Sequence, residues 1–187
     1  KNLTNLSTNI SGADYIGGIT GYRNNTATGD SQSITNSANI SGGQYVGGLW
    51  GEGIGTANLA LSDLRNTGTV SGTMNVGGIG GDMSVTGGAV TVSTILNQGA
   101  VTGTQDRVGG ILGQFSNTSA TPISISSIRN EGNVAGRNYV GGMLGYYTGN
   151  ANSSSLSSVS NAGKVTAQAV SSNSYVGGLI GYVGLSG

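Results

Sequence analysis

The stretch Tyr45-Val46-Gly47-Gly48-Leu49-Trp50-Gly51 is one of six copies of a phrase of the form V-G-G-(I/L/M)-x-G. The first glycines of the six pairs lie at positions 17, 47, 77, 109, 141 and 177, so the spacings are 30, 30, 32, 32 and 36 residues. Self-similarity at a fixed period of this size is typical of solenoids, in which each unit buries its apolar face only by stacking on a neighbour. The phrase therefore predicts one repeat array over residues 1–187 rather than a compact domain.

Each unit carries three apolar segments. The first follows an asparagine and contributes one β-branched residue per unit, as Val70 does in Asn66-Thr67-Gly68-Thr69-Val70. The second is the glycine phrase, in which Val46 and Leu49 lie three residues apart, and the third precedes the next asparagine, with Leu61 and Leu64 equally spaced. Two residues three apart cannot both face inward on a regular strand. We therefore expect the Gly-Gly pair to supply a bulge that turns both apolar residues of the phrase inside.

The segments are short and interrupted by glycine, which favours strands because glycine costs about 1 kcal/mol relative to alanine inside a helix. We predict an all-β fold, a parallel β-solenoid (β-helix) of about six coils, with three short strands per coil and 30–32 residues per coil. The coils are predicted to start near residues 5, 36, 66, 97, 130 and 161. At about 4.8 Å per coil, the rod would be roughly 30 Å long.

Two sets of residues recur with the period, and we assign structural roles to both. The glycine set comprises Gly17, Gly18, Gly47, Gly48, Gly77, Gly78, Gly109, Gly110, Gly141, Gly142, Gly177 and Gly178. The asparagine set, at the turn that begins each coil, comprises Asn36, Asn66, Asn97, Asn130 and Asn161. Stacked amides would hydrogen-bond from coil to coil, or each asparagine would bond its own backbone in a turn. The sequence leaves both hypotheses open.

The composition excludes several classes of function. Seven basic residues balance seven acidic ones, so no excess of positive charge attracts nucleic acid. Cysteine and histidine are absent, which removes thiolate metal sites and the commonest general base. No apolar stretch approaches the roughly 20 residues needed to span a bilayer. We predict no cofactor, no nucleic-acid partner, no membrane insertion and no catalytic activity.

Glu52 and Asp82 are a candidate carboxylate pair, because each directly follows the last glycine of its phrase on adjacent coils. Two stacked carboxylates are potential Ca²⁺ ligands, and residues 77–85 match half of the calcium-binding nonapeptide G-G-x-G-x-D-x-U-x. Few oxygen donors converge there for an ion that takes six to eight, so solvated loop charges are the favoured interpretation. The same pair offers the only adjacent carboxylates for polysaccharide cleavage.

Tyrosines surround the glycine phrase and are predicted to lie on the surface. Those that precede it are Tyr15, Tyr45, Tyr139 and Tyr175, and those that follow it are Tyr22, Tyr146 and Tyr182. Stacked aromatic side chains on a polar rod would bind sugars or a partner surface. Alternatively, they cover the strand edges of the glycine-rich face.

The phrases Gly48-Leu49-Trp50-Gly51, Gly142-Met143-Leu144-Gly145 and Gly178-Leu179-Ile180-Gly181 resemble the GLUG repeat, named for its G-L-(any)-G signature. The copy Gly78-Ile79-Gly80-Gly81 departs most, because the residue after Ile79 has lost its bulk. Such repeats occur in large secreted or surface-attached bacterial proteins, including adhesin-like chains and non-catalytic regions of immunoglobulin A proteases. The resemblance implies an extracellular or cell-surface rod, stalk or adhesive module.

Neither end of the sequence carries the polar cap that solenoids normally need. We expect either a segment of a longer repeat protein or self-association head to tail, with Leu3 and Leu6 completing the last coil of a neighbour. The predicted function is a non-catalytic extracellular structural or adhesive module: a stalk, a surface adhesin segment with a glycan or host-surface ligand, or a self-assembling fibre subunit. The alternative is a carbohydrate-binding or polysaccharide-degrading β-helix that uses the surface tyrosines or the Glu52/Asp82 pair.

Overall fold

The computed structural model describes residues 2–26, 29–150, 155–168 and 174–186. Coil by coil, the strands are β1 Leu3–Asn5, β2 Asn9–Ser11, β3 Ile16–Gly17 and β4 Thr20–Asn25; β5 Gly29–Asn36, β6 Asn39–Ser41, β7 Gln44–Gly47 and β8 Trp50–Gly55; β9 Leu59–Asn66, β10 Val70–Gly72, β11 Met74–Gly77 and β12 Gly80–Val85; β13 Val90–Asn97, β14 Val101–Gly103, β15 Asp106–Gly109 and β16 Leu112–Asn117; β17 Ile123–Asn130, β18 Val134–Gly136, β19 Asn138–Gly141 and β20 Leu144–Asn150; β21 Ser155–Asn161, β22 Val165–Ala167, β23 Val176–Gly177 and β24 Ile180–Ser186.

Equivalent strands of successive coils pair in parallel, which confirms the all-β parallel β-solenoid. Sheet A contains β1, β5, β9, β13, β17 and β21, and the next strand of each coil belongs in turn to sheets B, C and D. Each coil has four strands instead of the three predicted, because the glycine phrase spans a corner: β7 ends at Gly47 and β8 begins at Trp50. No described segment forms a helix that is long and apolar enough to cross a membrane.

The apolar columns form two separate core clusters. Val46 and Leu49 are both buried, at 0% and 1% exposure, as the bulge hypothesis requires. They enter different clusters, however. Leu49 belongs to the larger cluster, built mainly from sheets A and D, whereas Val46 belongs to a smaller cluster built mainly from sheets B and C. The two apolar residues of the phrase therefore link two cores rather than one.

A residue with positive φ explains the spacing of three in sheet A. In sheet A, Asp63 has φ 55° and lies between the buried Leu61 and Leu64. A single left-handed residue breaks the alternation of a strand, so that side chains three apart reach the same side. A second left-handed column precedes the glycine phrase, and its members are Tyr15, Tyr45, Asn75, Arg107 and Tyr139. The Gly-Gly pair itself is not left-handed.

The predicted asparagine column runs through the interior of the rod as a hydrogen-bonded ladder. Asn97 donates from Nδ2 both to Oδ1 of Asn130 at 2.8 Å and to the backbone carbonyl of Gly99 at 2.9 Å. Its own Oδ1 accepts from Nδ2 of Asn66 at 2.9 Å. Side-chain bonds of the same kind run from Asn5 to Asn161. Both hypotheses hold together, because Asn36, Asn66, Asn97 and Asn130 each use one amide N–H for the next coil and one for their own turn.

The second glycine of each phrase except the last lies directly against this ladder. A Cβ on Gly78 would approach Nδ2 of Asn97 to 2.5 Å and would collide with the carbonyl oxygen of Gly110 on the next coil. These glycines are therefore required by the space available, since the conflict is with a backbone carbonyl and an anchored amide. Each of these glycines meets the asparagine of the next coil, so the glycine column and the asparagine ladder run side by side between the two core clusters.

The departure of the third phrase from the GLUG pattern has a packing explanation. Gly80 is the partner of Trp50 in sheet D, and a Cβ there would lie 2.9 Å from Cζ2 of the indole. Trp50 is 3% exposed, and its Nε1 donates to the backbone carbonyl of Asp82 at 3.2 Å. The absence of bulk at position 80 thus accommodates the single tryptophan of the chain.

Candidate functional site

Two columns of side chains lie next to each other along one side of the rod, and we call them together the strip. The first column is the residue before the apolar start of each glycine phrase, and the second is the residue after its last glycine. In coil order the pairs are Tyr15 with Tyr22, Tyr45 with Glu52, Asn75 with Asp82, Arg107 with Gln114, Tyr139 with Tyr146, and Tyr175 with Tyr182.

The last glycine of the phrase brings the two columns together. A Cβ on Gly81 would lie 2.7 Å from the backbone carbonyl oxygen of Asn75, and one on Gly51 would lie 2.6 Å from that of Tyr45. Only a residue without a side chain allows the strand that precedes the corner to fold so closely over the strand that follows it. Side chains seven residues apart in sequence are therefore brought next to each other along one side of the rod.

The N-terminal end of the strip is aromatic. The rings of Tyr15 and Tyr45 stack with centroids 4.8 Å apart and planes 2° from parallel. Tyr22 meets Tyr15 edge to face at 6.4 Å. Such ring pairs contribute about 1 kcal/mol beyond the area that they bury. Tyr15 and Tyr22 remain almost half exposed, so their rings are available to a ligand.

A second aromatic group occupies the C-terminal end of the strip. Tyr139 stacks on Tyr175 at 5.2 Å, and Tyr146 stacks on Tyr182 at 5.0 Å. The two stacks meet edge to face, with Tyr139 and Tyr146 at 5.2 Å. The predicted surface tyrosines thus form two groups rather than one continuous ladder.

Between the two aromatic groups lies a polar centre, made by Glu52, Asn75, Asp82, Arg107 and Gln114. Nη1 of Arg107 donates to Oε1 of Gln114 at 2.7 Å, and its guanidinium lies 4.9 Å from the ring centre of Tyr146. Asn75 and Asp82 are only 1% and 6% exposed.

Three buried atoms of this polar centre lack a hydrogen-bond partner within the described residues. They are Oδ1 of Asn75, Oδ1 of Asp82 and Nε of Arg107. About nine in ten buried polar groups in proteins are hydrogen-bonded, and leaving one unpaired costs about 1–3 kcal/mol. The concentration of such atoms at one point of the rod marks the polar centre as the candidate site.

The electrostatics of the polar centre disfavour a second negative charge. Burial, with the neighbouring Glu52 carboxylate adding to it, raises the pKa of Asp82 from 3.8 to about 7, while Arg107 and the backbone N–H of Met83 act in the opposite direction. Burial also raises the pKa of Glu52. The folded protein therefore holds a proton on Asp82 over a pH range in which the unfolded chain has lost it.

We expect the free energy of unfolding to fall as the pH rises from about 4 to about 7, since a raised folded-state pKa makes ionisation unfavourable for the fold. An Asp82→Asn variant should lose most of this decline and should exceed the parent in stability at pH 8 by an amount on the order of 3 kcal/mol. Urea unfolding at several pH values measures the free energy of unfolding of the parent and of the variant. An equal decline in both proteins would contradict the assignment of the pH dependence to Asp82.

Glu52 and Asp82 are partners in sheet D, so the predicted carboxylate pair is formed. The described residues contain no group of three or more acidic side chains placed to hold a metal ion. The positive charge of Arg107 partly offsets the burial that raises the pKa of Asp82, and the same charge opposes the binding of Ca²⁺ at the pair. The pair is better described as one part of a mixed-charge centre than as a chelating site.

Sequence reasoning missed Asn75, Arg107 and Gln114. The signal was present in the columns, because Asn75 and Arg107 interrupt a position that is tyrosine in the other four coils. At the N-terminal end, the predicted assembly residues Leu3 and Leu6 are exposed, at 47% and 77%.

Comparisons of this chain with protein-family models, with curated proteins and with solved structures found no match.

Proposed function

We propose that this chain is a non-catalytic structural module of an extracellular or cell-surface protein, and that it lengthens by stacking a further coil of the same repeat on its C-terminal face. The likeness of its phrases to the GLUG repeat favours the extracellular placement. The single observation that carries the structural role is the open, repeat-shaped surface of the last coil.

The last coil leaves apolar side chains uncovered at positions that are buried in the coils before it. Val176, Leu179, Val183 and Leu185 are 40–61% exposed, whereas Val140 and Met143, which precede Val176 and Leu179 in their columns, are almost fully buried. Covering such a surface is favourable by roughly 25 cal/mol per Å². A coil with the same columns would continue both core clusters.

The polar ladder ends on the same face with an unused donor. Within the described residues, Nδ2 of Asn161 donates only to the carbonyl of Gly163, whereas each preceding asparagine also donates to the next coil. A Cβ on Gly178 would meet nothing there, although every earlier equivalent is blocked by the coil above. The face is thus shaped for an asparagine amide and a glycine carbonyl.

The first coil offers the complementary groups. Oδ1 of Asn5 stands at the acceptor end of the ladder, where its described partner is the backbone N–H of Ser7. Leu3 and Leu6 supply apolar surface. Arg23 of this coil stands in the column of Gly53 and the buried Met83, and its guanidinium carbon lies 5.4 Å from the Trp50 ring centre. The added coil is therefore either the continuation of a longer chain or the first coil of a second copy.

Negative-stain electron microscopy over a range of concentrations tests the proposal. We expect filaments one solenoid wide if a second copy supplies the coil. The Gly178→Ala variant should then form only short rods, because its methyl group would occupy the space of the incoming amide and carbonyl. Leu3→Asp with Leu6→Asp should have the same effect from the other end.

Gly55→Ala is the matched control, since its added methyl would touch only Met83 and Leu59 at ordinary distances of 3.6 and 3.7 Å. It should assemble as the parent does. Short rods at all concentrations for the parent would assign the added coil to a longer chain. Filaments that persist unchanged in Gly178→Ala would contradict stacking on this face.

A further inference from the structure

We propose that the polar centre of the strip is a binding site for a neutral saccharide, held by neighbouring hydroxyl groups between the two aromatic groups. This site is independent of end-to-end stacking, because it lies on the side of the rod, on coils 2 to 5. The three unpartnered buried atoms, the flanking rings and the charge balance argue for it separately.

The unpartnered atoms specify what a ligand must supply. Oδ1 of Asn75 is an acceptor, Oδ1 of Asp82 is an acceptor when the proton of that carboxyl is absent or on Oδ2, and Nε of Arg107 is a donor. A hydroxyl group both donates and accepts, so two neighbouring hydroxyls satisfy two acceptors and one donor together. A carboxylate or phosphate only accepts, and an ammonium group only donates, so neither completes the set. A vicinal diol, which every common sugar ring carries, fits this pattern.

The flanking rings supply the apolar part of the site. Tyr45 lies on the N-terminal side of the polar centre, and Tyr139 and Tyr146 lie on the C-terminal side, three coil spacings away or about 14 Å. Tyrosine offers a rigid apolar ring and a hydroxyl at its tip, which suits the C–H faces and hydroxyls of a sugar. Arg107 is already fixed against the Tyr146 ring at 4.9 Å, so less of its freedom is lost on binding.

The charges of the site select a neutral ligand. Glu52 and Asp82 are neighbours on adjacent strands of sheet D, and Arg107 provides the opposing positive charge on the next coil. An acidic sugar would meet the Glu52 carboxylate, and a cation would meet the guanidinium. Because the unpartnered atoms are buried, the partly buried Gln114 and Glu52 side chains must move as the ligand enters.

Affinity electrophoresis in native gels tests the inference, with hydroxyethylcellulose, dextran and galactomannan as neutral probes and heparin as the anionic one. We expect at least one neutral polysaccharide to retard the parent chain. Arg107→Gln and Tyr146→Ala should each weaken that binding at least tenfold. Arg129→Gln is the matched control, because Arg129 is an exposed arginine on sheet A that pairs with Glu131 at 2.8 Å, and its binding should be unchanged.

Thermal unfolding of each variant separates loss of the site from loss of the fold. Failure of all neutral probes to retard a folded parent would overturn the inference, and so would equal weakening by Arg107→Gln and Arg129→Gln. Retardation by heparin alone, lost when salt is added, would mean that charge rather than hydroxyl recognition is responsible, and would also overturn it. None of these results bears on filament formation, so the stacking proposal is judged by microscopy alone.

Discussion

Replacing Asn97 by alanine is expected to lower the free energy of unfolding by about 4 kcal/mol. The side chain is fully buried, and its loss removes the partners of three groups at once: Nδ2 of Asn66, Oδ1 of Asn130 and the carbonyl of Gly99. Each buried group left unpaired costs about 1–3 kcal/mol. Replacing the lost hydrogen bonds with water would also cost free energy, because the water would have to enter the buried interior. Chemical denaturation followed by circular dichroism gives the measurement.

Asn39→Ala is the control for this effect. Asn39 also bonds from coil to coil, to Asn9 and Thr69, but it is exposed. Water replaces the lost bonds at such a position, so we expect a change within about 1 kcal/mol. A similar small loss for both variants would mean that the interior ladder does not determine stability.

The second large effect is expected for Gly78→Ala, which should destabilise the protein by about 3 kcal/mol. An added methyl conflicts with the carbonyl of Gly110 and with the amide of Asn97. Neither can retreat easily, because the carbonyl belongs to the next coil and the amide is held by three hydrogen bonds. Relief of the overlap must therefore lengthen the ladder or separate the two coils, and unfolding in denaturant reports the cost.

Gly55→Ala is again the matched comparison, now for stability. The glycine is buried in sheet D, and its added methyl makes only ordinary contacts. Replacing glycine where the backbone conformation permits alanine stabilises a protein by about 0.4–1 kcal/mol through the unfolded state. We expect opposite signs for the two glycine substitutions. Equal destabilisation would show that loss of glycine in general, rather than contact with the ladder, causes the effect.

The Asn97→Ala and Gly78→Ala variants also test how far a local defect spreads along the rod. In a stacked array each coil contacts only its neighbours, so stability is the sum of coil and interface terms. Asn97 and Gly78 meet at the interface between the third and fourth coils. Native-state hydrogen exchange should therefore rise most in the strands around that interface, from β9 to β16, before it rises at either end.

The sequence by itself determined the period, the parallel stacking and the inward columns. Those follow from Val46, Leu49 and their equivalents, because an apolar residue repeated at one position can be buried in every coil only if the coils stack in register. It also identified the asparagine column and the Glu52/Asp82 pair, since residues at one position of the repeat necessarily become neighbours. Contacts between equivalent positions of successive coils can therefore be predicted from the sequence.

Only the tertiary structure decided how the coil is divided within itself. The corner at Gly47–Trp50, the two core clusters and the dual bonds of each amide depend on the path of the backbone inside one coil, which no periodicity fixes. The polar centre also depends on the backbone path within one coil, because Asn75 and Asp82 meet only where Gly81 lets two strands fold closely together. Periodicity relates one coil to the next, whereas close packing of side chain and backbone relates one side of a coil to the other.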